Sequence, residues 1–477
     1  MIDILLLGRK PLPCWQRRAF DHACTLRQPT IILSMECMTT AANRFFDGVH
    51  RFLPGQLLEL SLKERSELWT CWLPRELPPE RRNVSLQEAA AECRERFLWN
   101  VQLHMRSDVP IGVALSGGLD SSAIACAVRH LLPRAEIHTF TYRPQDRTIS
   151  EDRWADIVAR AIDAHVHTVR FCPQELEAAV DDIVARQGEP FGSTSVVAQY
   201  FVAREAKRAG MKVLLEGQGG DEILAGYDGY PAEWLQQVWH RGDLSDVVRM
   251  VRSWPKGPGR SRLRLAWLLA RRWLPQAARM TVERAAGKPW NPPWMNARWL
   301  ADHDVLPVWP AGSRETCRSR VFHWALRQAQ TGSLQHLLRH GDRNAMAFSI
   351  ENRTPFLTLE FSDFVLSLPP QFLVGPDGTT KRLLREALRG LVPDAILDRR
   401  DKVGFRTDPD DTLLSSPRLR KRAASVIREL PLFNTPAALR LLSADTPKAA
   451  VPWHSNMDWQ RWRLINLALW CERFGVN

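Results

Sequence analysis

Between Val113 and Ala127 the sequence reads Val-Ala-Leu-Ser-Gly-Gly-Leu-Asp-Ser-Ser-Ala-Ile-Ala-Cys-Ala. An apolar run over 109–115 stops at Ser116, Gly117 and Gly118. Apolar residues then return at helical spacing through Ala123, Ile124, Ala127 and Val128. This pattern predicts a strand, a tight turn and a helix, with Asp120, Ser121 and Ser122 in the first helical turn. Paired glycines let backbone N–H groups close on an anion, and the helix start adds its own unpaired donors. Ser116, Ser121 and Ser122 offer hydroxyls, and Asp120 is an acceptor suited to Mg2+. The plainer alternative, that Asp120 and the serines only cap a helix, leaves the glycine pair unexplained. No Gly-Lys-Ser/Thr ending follows, so no lysine reaches the outer phosphates from this loop. A pyrophosphate grip of that kind suits adenylation rather than phosphoryl transfer.

A second glycine-rich turn reads Leu215-Glu-Gly-Gln-Gly-Gly-Asp-Glu-Ile-Leu-Ala-Gly-Tyr, following the buried apolar run at 212–215. It too brings backbone close to a ligand, and Asp221 and Glu222 open what reads as a helix.

Ser-Gly-Gly-Leu-Asp-Ser-Ser resembles the pyrophosphate loop of ATP pyrophosphatases, and specifically the synthetase domain of asparagine synthetases. That family also contains β-lactam synthetases and lasso-peptide cyclases. The resemblance runs from about Phe45 to Phe474. It includes the second glycine turn, the run Leu338 to Leu357, Lys381-Arg-Leu-Leu-Arg-Glu-Ala-Leu and the segment from Pro393 to Phe405. It implies an adenine nucleotide alpha hydrolase-like fold and ATP with Mg2+ as cofactors, the metal held by Asp120 and Asp221. Leu115, Tyr142, Glu216 and Gly217 would border adenine and ribose. Ser116, Gly117, Gly118, Ser121 and Ser122 would hold pyrophosphate. Lys381 corresponds to the lysine that meets negative charge in the transition state, with Arg385 and Lys402 as further cationic candidates. Asp342, Arg343, Glu351 and Arg353 are candidates for gripping a zwitterionic substrate. Three positions depart from the family pattern: Gln218 where glutamate is common, Glu216 in place of a small hydroxyl residue, and Thr358 where aspartate is usual. An amide at Gln218 cannot act as a general base.

The expected reaction is adenylation of a carboxylate, foremost that of aspartate, with release of pyrophosphate. Ammonia, free or from a separate glutaminase, then displaces AMP to give asparagine. One rival keeps the chemistry but closes a ring within a peptide or amino-acid-derived substrate. A second is a tRNA-modifying ATP pyrophosphatase, and a third an inactive homologue that only binds partners. Residues 1–75 resemble the closing segment of a glutamine amidotransferase domain. With Met1 followed by Ile2 and few residues before the match, no glutamine hydrolysis by this chain is expected.

Around these turns the pattern predicts an α/β domain over 76–477 with a doubly wound, mostly parallel sheet. Strands fall at Ile137–Tyr142 and His165–Phe171. Helices are expected at Ser85–Arg106, where Ser85 and Glu88 form a capping box, and at Glu151–Ala164, Gln174–Arg186 and Ser195–Ala209. Residues of about 231–335 interrupt the alternation as a Trp-rich helical insertion that includes a basic amphipathic stretch at Arg260–Trp273. Packing of that stretch against the core is preferred over a membrane or nucleic-acid surface. The carboxyl part is helical.

At 477 residues, 45% apolar and 25% charged, the chain has the composition of a soluble globular protein. The formal charge of +12, from 65 basic and 53 acidic residues, is read as solvated arginine-rich faces, with no nucleic-acid partner expected. The nine cysteines include no Cys-x-x-Cys pair, which favours reduced thiols in a cytoplasm. No apolar run of bilayer length without charge is present, and the start is too short and acidic for a secretory signal.

Overall fold

A computed structural model describes residues 56–59, 67–70, 77–81, 83–144, 151–227, 229–241, 244–253, 278, 281–282, 292–303, 321–400, 407, 416–443 and 456–476. Arg260–Trp273, Lys402 and Cys14, Cys24 and Cys37 lie outside the described residues.

Gln56–Glu59 (β1) and Glu67–Thr70 (β2) pair antiparallel as a ribbon separate from the main sheet. The first long helix, α1 (Leu86–His104), begins at the expected capping box. Ser85 accepts from the Glu88 backbone N–H at 3.2 Å, and Glu88 accepts from the Ser85 N–H at 2.9 Å.

Five strands then form the central sheet: β3 (Ile111–Ala114), β4 (His138–Tyr142), β5 (His165–Val169), β6 (Val213–Leu215) and β7 (Glu351–Arg353). Their order is β5-β4-β3-β6-β7, and every neighbouring pair is parallel. Helices α2 (Leu119–Leu131), α3 (Asp152–Ala161), α4 (Pro173–Gln187) and α5 (Ser195–Arg208) connect the strands, as a doubly wound sheet requires. One buried cluster joins α1, α2 and α3 to residues of 356–397. A second joins α4 and α5 to residues of 419–476 on the other face.

The direction of chain growth reverses at β3. From there the chain builds outward through β4 and β5, then returns to place β6 on the other flank of β3. Val113 pairs with Leu215, so β3 and β6 end side by side. In open parallel sheets this switch point is where the crevice for a ligand forms.

The run Leu338–Leu357 leads from the Ser333–Ala347 helix towards the Leu359–Ser367 helix and holds β7 on the way, whose Glu351 to Arg353 extend the sheet beside Val213 to Leu215. Glu-Asn-Arg carries no apolar alternation, because β7 is an edge strand whose residues are exposed or half-buried. Within 231–335, Tyr230–Arg241 and Val321–Thr331 are helices that pack on each other, with Trp234 fully buried. Among the described residues no helix is long and apolar enough to cross a membrane. Cys93, Cys126, Cys172 and Cys471 are free thiols, and burial pushes Cys93 and Cys126 up to about 12.

Candidate active site

The two glycine turns meet at the switch point. After β3 the chain bends at Gly117, with φ of 81°, and enters α2 from Gly118. A Cβ on Gly117 would stand 2.6 Å from the Ala155 nitrogen and 2.9 Å from Trp154 Cβ, so only glycine lets the loop lie against α3. After β6 the chain bends at Gly219, with φ of 91°, into the short helix α6 (Gly220–Ile223). Glycine again permits the approach of one turn to the other. A Cβ on Gly217 would fall 2.9 Å from Asp120 Cβ, and one on Gly220 2.5 Å from Asp120 Cγ.

Asp120 and Asp221 therefore come from different turns yet converge on one point, and Lys381 marks it. The Lys381 ammonium lies 2.6 Å from Asp120 Oδ1 and 2.6 Å from Asp221 Oδ1. Its side chain is 7% exposed. Burial alone would lower the lysine's proton affinity, but the two carboxylates outweigh it and hold the ammonium above its ordinary range. The backbone at Lys381 is left-handed, with φ of 54° and ψ of 33°. This costs a non-glycine residue roughly 1–2 kcal/mol. The preceding Val374–Thr380 bridge and the following Arg382–Ala387 helix hold it there. Gly226 leaves room for the pair: a Cβ there would stand 1.8 Å from Asp221 Oδ1 and 2.3 Å from Lys381 Cε.

The cleft above these groups is lined by Leu115, Ser116, Gly118, Asp120, Ser121, Phe140, Glu216, Gly217, Gln218, Asp221 and Lys381. Arg385, Arg399 and Arg400 line it as well. Arg385 donates to the Thr380 carbonyl at 2.9 Å, and burial lowers it to about 10. Arg399 donates to the Gly117 carbonyl at 3.1 Å, pairs with Glu151 and stacks 5.0 Å above the Trp154 ring. Arg399 and Arg400 were legible only as basic residues late in the chain. Nothing in their spacing shows that Arg399 braces the first glycine turn.

Other expected site residues stand elsewhere. Ser122 is fully buried beneath the turn, and Tyr142 stacks on Phe171 with ring centroids 5.5 Å apart. Arg343 donates to the Arg186 carbonyl at 2.9 Å, and Arg353 donates to the carbonyls of His104 and Arg106 at 2.7 and 2.8 Å. Glu351 is exposed and pairs with Arg353 at 3.0 Å. Asp342 is half-buried on the same helix as Arg343. None of these four reaches the cleft lining. Thr358 caps the Leu359–Ser367 helix, accepting from the Phe361 N–H at 3.3 Å and from Asn100 at 3.0 Å.

A magnesium–nucleotide complex fits the donor set. Two carboxylates face a point already chosen by a cation, and phosphate oxygens complete the coordination that such an ion prefers. Among the described residues no group of three or more His, Cys, Asp or Glu is placed to hold a metal ion.

Comparison with known proteins adds an independent line. The family model "Asparagine synthase" matches residues 92–472. "Asparagine synthetase [glutamine-hydrolyzing] 1" of Bacillus subtilis is 30% identical over 321 residues, covering 66% of this chain and 49% of its own length. "Amidase chyE" of Penicillium rubens is 26% identical over 402 residues, covering 74% of this chain and 57% of its own. "Putative asparagine synthetase [glutamine-hydrolyzing]" of Mycobacterium tuberculosis is 32% identical over 316 residues, 64% of this chain and 46% of its own. The chain thus spans about half the length of these curated relatives. With the matched model extending over both glycine turns and Lys381, the chain belongs to the asparagine synthase family.

Proposed function

We propose that the chain is an ATP-dependent amide-forming ligase that activates a carboxylate as its adenylate. The observation that carries this reading is the convergence of Asp120, Asp221 and Lys381 where the two glycine turns meet. The substrate carboxylate, foremost that of aspartate, attacks the α-phosphorus of ATP. Backbone N–H groups at the start of α2 and the hydroxyls of Ser116 and Ser121 receive the departing pyrophosphate. Asp120 and Asp221 would hold a magnesium ion, which supplies charge neutralisation on the phosphates. Lys381, fixed and buried, meets the negative charge that develops at phosphorus and at the carbonyl oxygen. An amine then attacks the adenylate carbon, forming C–N as the C–O bond to AMP breaks. Ammonia is the first candidate amine, free or delivered by a separate glutaminase.

The test is pyrophosphate release from ATP with single carboxylates, with and without ammonium. Release with aspartate and ammonium, yielding asparagine, supports the reading, and no release with any acid sinks it. Ring closure within a peptide is the second reading. It is favoured by Gln218, which lines the cleft but cannot act as a general base. Release only with a peptide substrate identifies it.

A further inference from the structure

Glu216 leads the second glycine turn and has no part in the phosphate geometry. Its backbone N–H bonds to the Arg353 carbonyl at 2.9 Å, tying the end of β6 to β7. Its side chain is half-buried and lines the cleft. The carboxylate accepts a hydrogen bond from Asn352 of β7. Gly341 closes the wall behind them: a Cβ there would stand 3.5 Å from Glu216 Oε2 and 3.3 Å from Asn352 Nδ2. The Asn352 Oδ1 atom is buried and accepts no hydrogen bond among the described residues. Arg343 and Arg353, the arginines on either side of Asn352 in the chain, donate to backbone carbonyls. One flank of the cleft therefore presents a carboxylate, held from behind by Asn352, the one hydrogen-bond partner that stabilises its charge among the described residues. Burial holds the Glu216 carboxyl up at about 7, where it can both accept and release a proton near neutral pH.

We propose that Glu216, positioned by Asn352, forms the amine subsite and takes the protons from the attacking nitrogen. This rests on the adenylate reading above. The incoming ammonium or primary ammonium group donates to Glu216. Its first N–H proton passes through the Glu216 carboxylate to water, and the freed lone pair forms the C–N bond. The C–O bond to AMP breaks and AMP leaves with that electron pair, while Glu216 takes the second N–H proton, leaving a neutral amide, and returns it to water. The assignment gives the chain a base that Gln218 cannot supply, on the neighbouring turn position.

The test separates the two half-reactions in the full chain. Exchange of labelled pyrophosphate into ATP with L-aspartate, and with the other proteinogenic amino acids, reads adenylation. Amide formation with ammonium chloride reads the second step. E216Q keeps the side-chain volume and the backbone bond to Arg353. It should lose amide formation by about 10²-fold or more, the range removed with a general base, and lose far less exchange. The ascending limb of amide formation near pH 7 should vanish with it, and E216D should restore part of both rate and limb. N352L should lower amide formation more than exchange and move the ascending limb to higher pH, because Asn352 stabilises the Glu216 carboxylate. If amide formation and its pH profile in E216Q match the parent while exchange is intact, the subsite is wrong and the adenylate reading survives. If the parent chain exchanges pyrophosphate with none of these acids, both fall together.

Discussion

Lys381 and Asp120 lie 261 residues apart in the chain and 2.6 Å apart in space. That contact joins the phosphate loop to a helix start contributed by a distant segment, and Asp221 completes it from the second turn. Removing the lysine takes away the ammonium that both carboxylates contact. K381M should therefore lower acid-dependent pyrophosphate exchange by about 10²–10³-fold, as for other lost transition-state charge contacts. It should also lower folding stability by about 3 kcal/mol. K381R should not restore exchange, because the wider guanidinium meets the wall at Gly226. Exchange assays and urea melts check both.

Space at Gly226 is the second requirement. G226A drives a methyl group into the Asp221–Lys381 contact and should abolish exchange. G229A is the control, since a Cβ there meets nothing within 4 Å. Equal exchange by the two variants would show that the crowding has no functional consequence.

Arg399 and Glu151 form a buried pair, with side chains 5% and 11% exposed, that holds the Gly117 carbonyl from below. R399M should cost about 3 kcal/mol in a denaturant melt, because the buried Glu151 carboxylate loses its guanidinium partner. It should also raise the KM for ATP. E151Q in the same chain should recover part of the stability, measured as a double-mutant cycle.

The pH dependence of stability isolates Glu216. Its carboxyl ionises near 7 in the fold, against an ordinary value near 4.5, because burial disfavours the charge. Between those values the folded chain binds more protons than the unfolded chain, so stability falls as pH rises, by at most about 1.4 kcal/mol per pH unit. Below 4.5 both states are protonated, and above 7 both are ionised, so the slope from this group vanishes. The difference between parent and E216Q melts at pH 4.5 to 7.5 should show this slope. A flat difference would place Glu216 in contact with water.

The parts of this site visible in sequence are those that alter local backbone chemistry. Gly117, Gly118 and Gly217 to Gly220 interrupt apolar runs and announce their turns, and Ser85 with Glu88 announces a helix start. The parallel sheet was legible from β3 to β6 because those strands carry apolar or alternating residues. β7 was not, since Glu351, Asn352 and Arg353 are placed by pairing with β6 and not by an apolar pattern. The same gap hid Asn352. Lys381 entered through family resemblance alone, as its burial and left-handed backbone depend on partners more than 150 residues away. Ser122, read as a phosphate hydroxyl, belongs to the face of α2 turned into the core, where helical periodicity puts it opposite Asp120.

Pairing of β6 with β7 joins Val213 to Glu351, and the sheet edge cannot form until that 138-residue separation is bridged. Contacts so remote in sequence slow the search for the native topology, because chain entropy is lost before any pairing is gained. The cleft beside β6 is therefore expected to form late, after the outlying strand docks. Adding ATP during refolding should leave the early rate unchanged while protecting the finished domain from proteolysis, since ligand binds only the completed form.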